Sequence, residues 1–188
     1  MRTPLWTFNL GKHNIEGLEN ELKPIIDPAN GGLNDARIGQ LIDPRDDVRK
    51  SKIKFFQNEQ INYMCMDLFR RANKECFNVD IDFIYDIQYT EYAAEREEHF
   101  DWHIDVDWGN PLYYDRKLSM TIQLSDDDEY EDGNLEFKNI STTEKQLKAQ
   151  RQKGWVCVFP SYLEHRVTMV TKGTRKSLVA WAEGPRWR

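Results

Sequence analysis

Apolar side chains recur along this chain with two different periods, and the change of period falls near Val79. Upstream, in "FFQNEQINYMCMDLFRRANKEC", Phe56, Ile61, Met64, Cys65, Leu68, Phe69 and Ala72 follow helical spacing. That predicts a helix laying one apolar stripe on a core. Before it the pattern predicts a short strand at Leu5 to Asn9, a helix near Glu16 to Lys23, and a loop rich in Asp, Pro and Gly. Downstream the period is two. "VDIDFIYDIQYTEY" sets Ile81, Phe83, Tyr85, Ile87 and Tyr89 on one strand face and Asp82, Asp86, Gln88, Thr90 and Tyr92 on the other. "KLSMTIQL" repeats this, with Leu118, Met120, Ile122 and Leu124 opposed to Lys117, Ser119, Thr121 and Gln123. "DDDEYEDGN" signals a turn before the short run "LEF". The polar stretch "STTEKQLKAQRQ" reads as a helix, and "GWVCVFP", "HRVTMVT" and "RKSLVAWAE" read as further strands.

Helices followed by many short strands predict a mainly β fold with flanking helices, a double-sheet sandwich or jelly roll. Neither an internal repeat nor a low-complexity linker interrupts the chain, so one domain is expected over 1–188. Residues 1–78 are read as mostly helical support and 79–188 as the β core. The strands carry unusually polar second faces, which either meet solvent or line an inner cleft.

Composition narrows the function classes. At 188 residues, 39% hydrophobic and 31% charged, the chain is an ordinary globular one. A formal net charge of -6 argues against a dedicated nucleic-acid binder. Cys65, Cys76 and Cys157 are odd in number and form no CxxC pair, which points to free thiols in a reducing compartment. The chain has no apolar run long enough for a signal peptide or a membrane span. A soluble, cytoplasmic protein is the expectation.

The candidate chemistry begins in "HFDWHIDVDW". Its odd positions, His99, Asp101, His103, Asp105 and Asp107, are all metal-ligand types; its even ones, Phe100, Trp102, Ile104, Val106 and Trp108, are apolar and read as the packing side. Two residues apart on a strand, His103 and Asp105 emerge on one face roughly 7 Å apart and can hold two corners of one metal. Taken alone, the stretch reads equally as a half-exposed acidic strand. Further on, in "FPSYLEHRVTMVTKGTRKSLVAW", His165 opens a β run, and Arg175 follows ten residues later across a "KGT" turn. Two antiparallel strands joined at that turn would bring them to the same end of the sandwich. Two His and one carboxylate leave three open positions on an octahedral metal, the facial triad of non-haem Fe(II) oxygenases. A planar guanidinium nearby matches the distal carboxylate of 2-oxoglutarate in a bidentate contact. Ser177 lies on the same strand face as Arg175 and can donate to that carboxylate.

These motifs together resemble the Fe(II)/2-oxoglutarate dioxygenase superfamily, in its prolyl 4-hydroxylase-like and PKHD-type hydroxylase branch. The likeness runs from about Tyr85 to Trp181, and the first 75 residues match no motif. The resemblance implies a double-stranded β-helix (jelly-roll) core with His103, Asp105 and His165 as metal ligands. It also implies 2-oxoglutarate held by Arg175, with Tyr92 as a second contact. Because "YAAEREEHFDWH" is longer than the family pattern and lacks its Gly, Tyr89 is a rival to Tyr92. Thr121 and Gln123 share the polar face of their strand and are expected to touch cosubstrate or substrate. Trp181 is read as packing or as a wall of the cleft. His99, Asp101 and Asp107 are read as bystanders, and the "DDDEYED" run lacks the spacing of a calcium loop. The implied cofactors are Fe(II), 2-oxoglutarate and O2, with ascorbate as a reductant. The implied reaction is hydroxylation of an unactivated C–H bond with release of succinate and CO2. Its substrate would be a peptidyl proline or, alternatively, a free amino acid or other small molecule; nucleic acid is disfavoured by the acidity. A catalytically silent metal-binding jelly-roll module is the alternative from another class.

Overall fold

The computed structural model describes residues 4–36, 48–109, 111–138 and 147–188. In chain order its elements are β1 (Trp6–Asn9), α1 (Lys12–Ile26), β2 (Asn34–Asp35), β3 (Arg49–Lys50), β4 (Lys52–Phe56), α2 (Glu59–Ala72), β5 (Phe83–Ala93), β6 (His99–His103) and β7 (Tyr114–Gln123). They continue with β8 (Tyr130–Asp132), β9 (Leu135–Phe137), β10 (Leu147–Lys148), β11 (Trp155–Pro160), β12 (His165–Val167) and β13 (Val170–Pro185). The major sheet runs β1-β11-β7-β13-β5-β4-β2, with β8 attached to β13; the minor sheet runs β10-β9-β12-β6-β3. This is a jelly-roll core with helices against one side.

The two faces of the major sheet explain its sequence. Ile87, Tyr89, Leu118, Met120, Ile122, Val156, Val158, Leu178 and Ala180 form a core with Leu18 and Leu22 of α1 and Ile61, Leu68 and Phe69 of α2. The other face carries Gln88, Thr90, Ser119, Gln123, Arg175 and Ser177, each at most 4% exposed. It is roofed by the minor sheet, where Tyr92, Cys157 and Phe159 meet Leu135, Phe137 and Val167. The polar faces seen in the sequence therefore line an interior, and polar groups placed there must find partners. All three cysteines are free thiols, with Cys65 and Cys157 buried and Cys76 exposed. Among the described residues no helix is long and apolar enough to cross a membrane.

Several local expectations are corrected. Phe56 ends β4 and does not start the helical stripe, because Asn58 caps α2 by accepting a hydrogen bond from Ile61 N at 2.9 Å. Among the described residues, the first 78 hold the α-helices α1 and α2 and also four strands, two of them only two residues long and too short for any periodicity to register. Tyr85 is 66% exposed and takes no part in the core face of β5. The expected turn at Lys172–Thr174 lies inside β13. There Gly173 adopts φ 68°, and a side chain would collide with the Glu129 carbonyl. Consequently His165 and Arg175 are not on a hairpin; β12 and β13 belong to different sheets. The helix expected over 141–152 falls partly outside the described residues, and within them Leu147–Lys148 pair with Glu136–Phe137 as a strand.

One buried carboxylate fixes the entry into β6. Glu98, 1% exposed, accepts from Ala93 N at 2.6 Å and from Arg96 at 2.8 and 3.1 Å. Its own backbone carbonyl accepts from Val170 N. Glu98→Ala leaves a buried amide without an acceptor and should lower stability by about 2–3 kcal/mol, measured by urea unfolding.

Candidate active site

The minor sheet brings the two histidines together. His165, at the start of β12, stands directly opposite His103, at the end of β6, with ring centroids 4.2 Å apart. Two residues on, Val167 stands opposite Phe100, so three residues of β6 span two of β12. This β-bulge breaks the strict alternation read from the sequence. It puts Phe100 and His103 on one side, stacked at 3.4 Å with planes 10° apart. Asp105 lies just past the strand, where its amide donates to Ser161 O at 2.8 Å. Beyond it Val106 is still buried, whereas Trp108 is 63% exposed. Trp102 lies at the edge, facing Arg166 and Lys138.

The three side chains form a compact donor set. One atom from each of His103, Asp105 and His165 lies within 4.8 Å of the others. Asp105 Oδ1 is 3.7 Å from His103 Nε2, and Oδ2 is 3.7 Å from His165 Nε2. Each Nδ1 faces a backbone carbonyl, Asp101 O at 2.7 Å for His103 and Leu163 O at 2.8 Å for His165. A carbonyl only accepts, so each neutral imidazole carries its proton on Nδ1 and turns the Nε2 lone pair inward. Asp105 Oδ2 also accepts from Ser119 Oγ at 2.6 Å, and Ser119 Oγ lies 2.9 Å from Ser161 Oγ. Two imidazole nitrogens and a hydrogen-bonded carboxylate, all inward, fit a divalent transition metal.

Electrostatics match that use. Burial, followed by the nearness of His165, pushes His103 down to about 3, so its ring is neutral and free to ligate at physiological pH. Burial alone would raise the Asp105 carboxyl, but the two histidines, Arg116 and the Ser119 hydrogen bond outweigh it and hold the group below its ordinary range.

Arg175 lies on the inner face of β13, 4% exposed, and is paired in register with Tyr92, whose ring is 5.8 Å from the guanidinium carbon. Among the described residues its guanidinium has no hydrogen bond or ion pair, a costly state for a buried charge unless an anion binds there. Ser177, 1% exposed, stands between Thr90 and Gln123. Thr121 is half-buried on the same face, between Val179 and Cys157. Tyr89 is on the opposite face, in the helix-side core, with its hydroxyl donating to Glu91. His99 sits at the far end of β6 beside Lys50, and Asp101 and Asp107 are exposed, each accepting from a nearby backbone amide.

Sequence reasoning missed three groups. Ser119 was visible on the polar face of β7, but its bond to Asp105 depends on the approach of the minor sheet. Ser161 carried no signal. Arg116, half-buried and 4.0 Å from the Trp181 ring, acts electrostatically on Asp105. The Phe55 ring lies 6.4 Å from that of Trp181, which pairs in register with Ser119, so aromatic rings and a cation stand near the triad.

Two outcomes are expected. Ser119→Ala frees Asp105 Oδ2 and should weaken Mn(II) or Fe(II) binding about 10- to 100-fold, measured by calorimetric titration. In metal-free protein, the unfolded chain binds a proton at His103 below about pH 6.5 that the folded chain refuses until about pH 3. Stability should therefore fall as pH drops through that window, and His103→Gln should flatten the fall in pH-dependent urea unfolding.

Comparison with known proteins adds an independent line. Residues 87–183 match the family profile described as the 2OG-Fe(II) oxygenase superfamily. A PKHD-type hydroxylase of Synechococcus sp. (strain CC9311) is 36% identical over 90 residues, which make up 48% of this chain. The matched segment is only 39% of that relative's length. A prolyl-4-hydroxylase of Pseudomonas putida superposes with TM-score 0.72 at 19% identity, covering 98% of this chain and 94% of that one. A Trichoplax adhaerens prolyl hydroxylase, solved with a hypoxia inducible factor peptide fragment, gives TM-score 0.74 at 17% identity, covering 96% and 83%.

Proposed function

We propose that this chain, which belongs to the 2OG-Fe(II) oxygenase superfamily, is a 2-oxoglutarate-dependent non-haem iron dioxygenase that hydroxylates an unactivated C–H bond of a peptidyl prolyl substrate. The observation that carries the reading is the inward donor set of His103, Asp105 and His165 beneath a sheet face that also holds the buried, unpaired Arg175. When bound at the triad, Fe(II) supplies the redox centre at which O2 is reduced, 2-oxoglutarate is oxidatively decarboxylated to succinate and CO2, and the substrate gains a hydroxyl.

The protein's own groups do the positioning. His103 and His165 present Nε2 because their Nδ1 protons are engaged by backbone carbonyls. Ser119 fixes the Asp105 carboxylate, leaving Oδ1 free of a hydrogen bond among the described residues. Arg175 takes the distal carboxylate of the cosubstrate, with Ser177 and Tyr92 beside it and Thr121 further along the same face. Phe137 and Phe159 pack edge-on at 4.9 Å, and the Phe159 ring is 4.7 Å from that of His165, which keeps water from the back of the site. Trp181 and Arg116 face the remaining side, where substrate would lie.

The peptidyl reading draws on the peptide-bound Trichoplax neighbour and on the PKHD-type relatives. A second reading, hydroxylation of a free amino acid or other small carboxylate, is favoured by Arg116, which has no side-chain ion pair among the described residues. The deciding experiment supplies Fe(II), 2-oxoglutarate, O2 and ascorbate with prolyl peptides or free amino acids. Succinate and a product heavier by one oxygen atom are read by mass spectrometry. Turnover on the peptide is the expected result; turnover only on free amino acids selects the second reading, and no succinate from folded protein defeats both. Arg175→Met should raise the KM for 2-oxoglutarate by about 10- to 100-fold, the loss of one charge-assisted bidentate contact.

A further inference from the structure

A second recess opens on the opposite face of β7 from the triad. It is a cavity of about 300 Å³ lined by Phe77, Val79, Tyr162 and Trp187, together with the exposed Cys76 and the buried Lys117. Lys117 and Ser119 would share a face in a regular strand. However, Ala182 pairs with Leu118 and Glu183 with Arg116, so Lys117 is the extra residue of a β-bulge. The bulge takes it out of the cleft-lining row and into the recess.

Lys117 is 4% exposed, and its Nζ lies 3.9 Å from the centre of the Trp187 ring. Among the described residues this ammonium has no hydrogen bond and no ion pair. Burial lowers its pKa, against the pull of Asp115 and Asp80. Asp115 is already engaged, accepting from Trp187 N at 2.7 Å. The Tyr162 and Trp187 rings meet edge-on at 5.4 Å. A recessed cation in an aromatic and aliphatic recess, at the small end of ligand-pocket volumes, suits an anion with a flat apolar body.

We infer that this recess binds a small organic carboxylate, its charged end on Lys117 Nζ and its apolar body against Trp187, Tyr162 and Phe77. The site is separate from the one that takes the cosubstrate, because Lys117 and Arg175 belong to different faces of the sheet. It is tied to the triad through the backbone, since Ser161 N donates to Lys117 O at 3.0 Å and Ser161 O accepts from Asp105 N.

Cys76 gives a readout independent of activity. Cys65 and Cys157 are buried, and burial pushes both thiols up to about 12, so neutral iodoacetamide should alkylate only Cys76 in folded protein. The probe is 3-phenylpropionate, compared with its neutral amide. The acid should slow Cys76 alkylation saturably, and the amide should need at least tenfold more for equal protection. Lys117→Met should abolish the difference between acid and amide, whereas Arg175→Met should leave it intact. Equal protection by acid and amide on the unaltered protein, or none up to about 10 mM, overturns the proposal even if Lys117→Met does not fold. Protection that persists in Lys117→Met, or is lost in Arg175→Met, overturns it as well.

Discussion

The burial of one carboxylate between two sheets organises this protein. Asp105 leaves the end of β6 in the minor sheet, yet its side chain is fastened to Ser119 in the major sheet, and its amide is fastened to Ser161. A carboxylate there would be costly if left alone. It is tolerated because Ser119, Arg116 and two imidazoles share its charge, and that requirement fixes how closely the sheets approach. The same approach roofs the polar face of the major sheet and converts a row of Gln, Thr, Ser and Arg side chains into the wall of a site.

The histidines show how local backbone geometry prepares a site before anything binds. Each imidazole is braced by the carbonyl two residues before it, so one short-range contact sets the tautomer and the ring orientation together. The β6 bulge then swings His103 onto the Phe100 side and into line with His165. Arg175 is the counterpart: a buried cation beside the Tyr92 ring that, among the described residues, has no hydrogen bond or ion pair, so an anion bound there would offset the cost of its burial. A metal at the triad and a dicarboxylate at Arg175 would both bind the folded chain in preference to the unfolded one, and so stabilise it by mass action.

Much of this was legible in the chain. The alternation in "KLSMTIQL" and "VDIDFIYDIQYTEY" gave the correct core faces for Leu118, Met120, Ile122, Ile87 and Tyr89, since a half-polar strand has only one way to bury its apolar set. It failed at Tyr85, because a bulge between Ile87 and Ile84 shifts the alternation and puts Ile84 in the core instead. His103, Asp105 and His165 could be named as a candidate set only from the combined motifs and the family they resemble, since the HxD pair alone reads equally as an acidic strand; the structure brings the three within 4.8 Å of one another. The hairpin invoked to join His165 and Arg175 does not exist. Gly173 signals a turn locally, but Glu129 passes so close that it becomes a bend inside one long strand. Strands of two residues such as β2 and β3 left no trace in sequence, because pairing partners far along the chain create them.

The sequence by itself determined which residues carry apolar surface, which carry ligand chemistry, and where the period changes from helix to strand. Those are properties of side chains and of nearest neighbours. The tertiary structure decided which face of the major sheet becomes interior, which way His103 and Lys117 turn at their bulges, and that Ser119 rather than solvent receives Asp105. Each of these depends on a register between strands distant in sequence, and a shift of one residue in pairing sends a side chain to the opposite face.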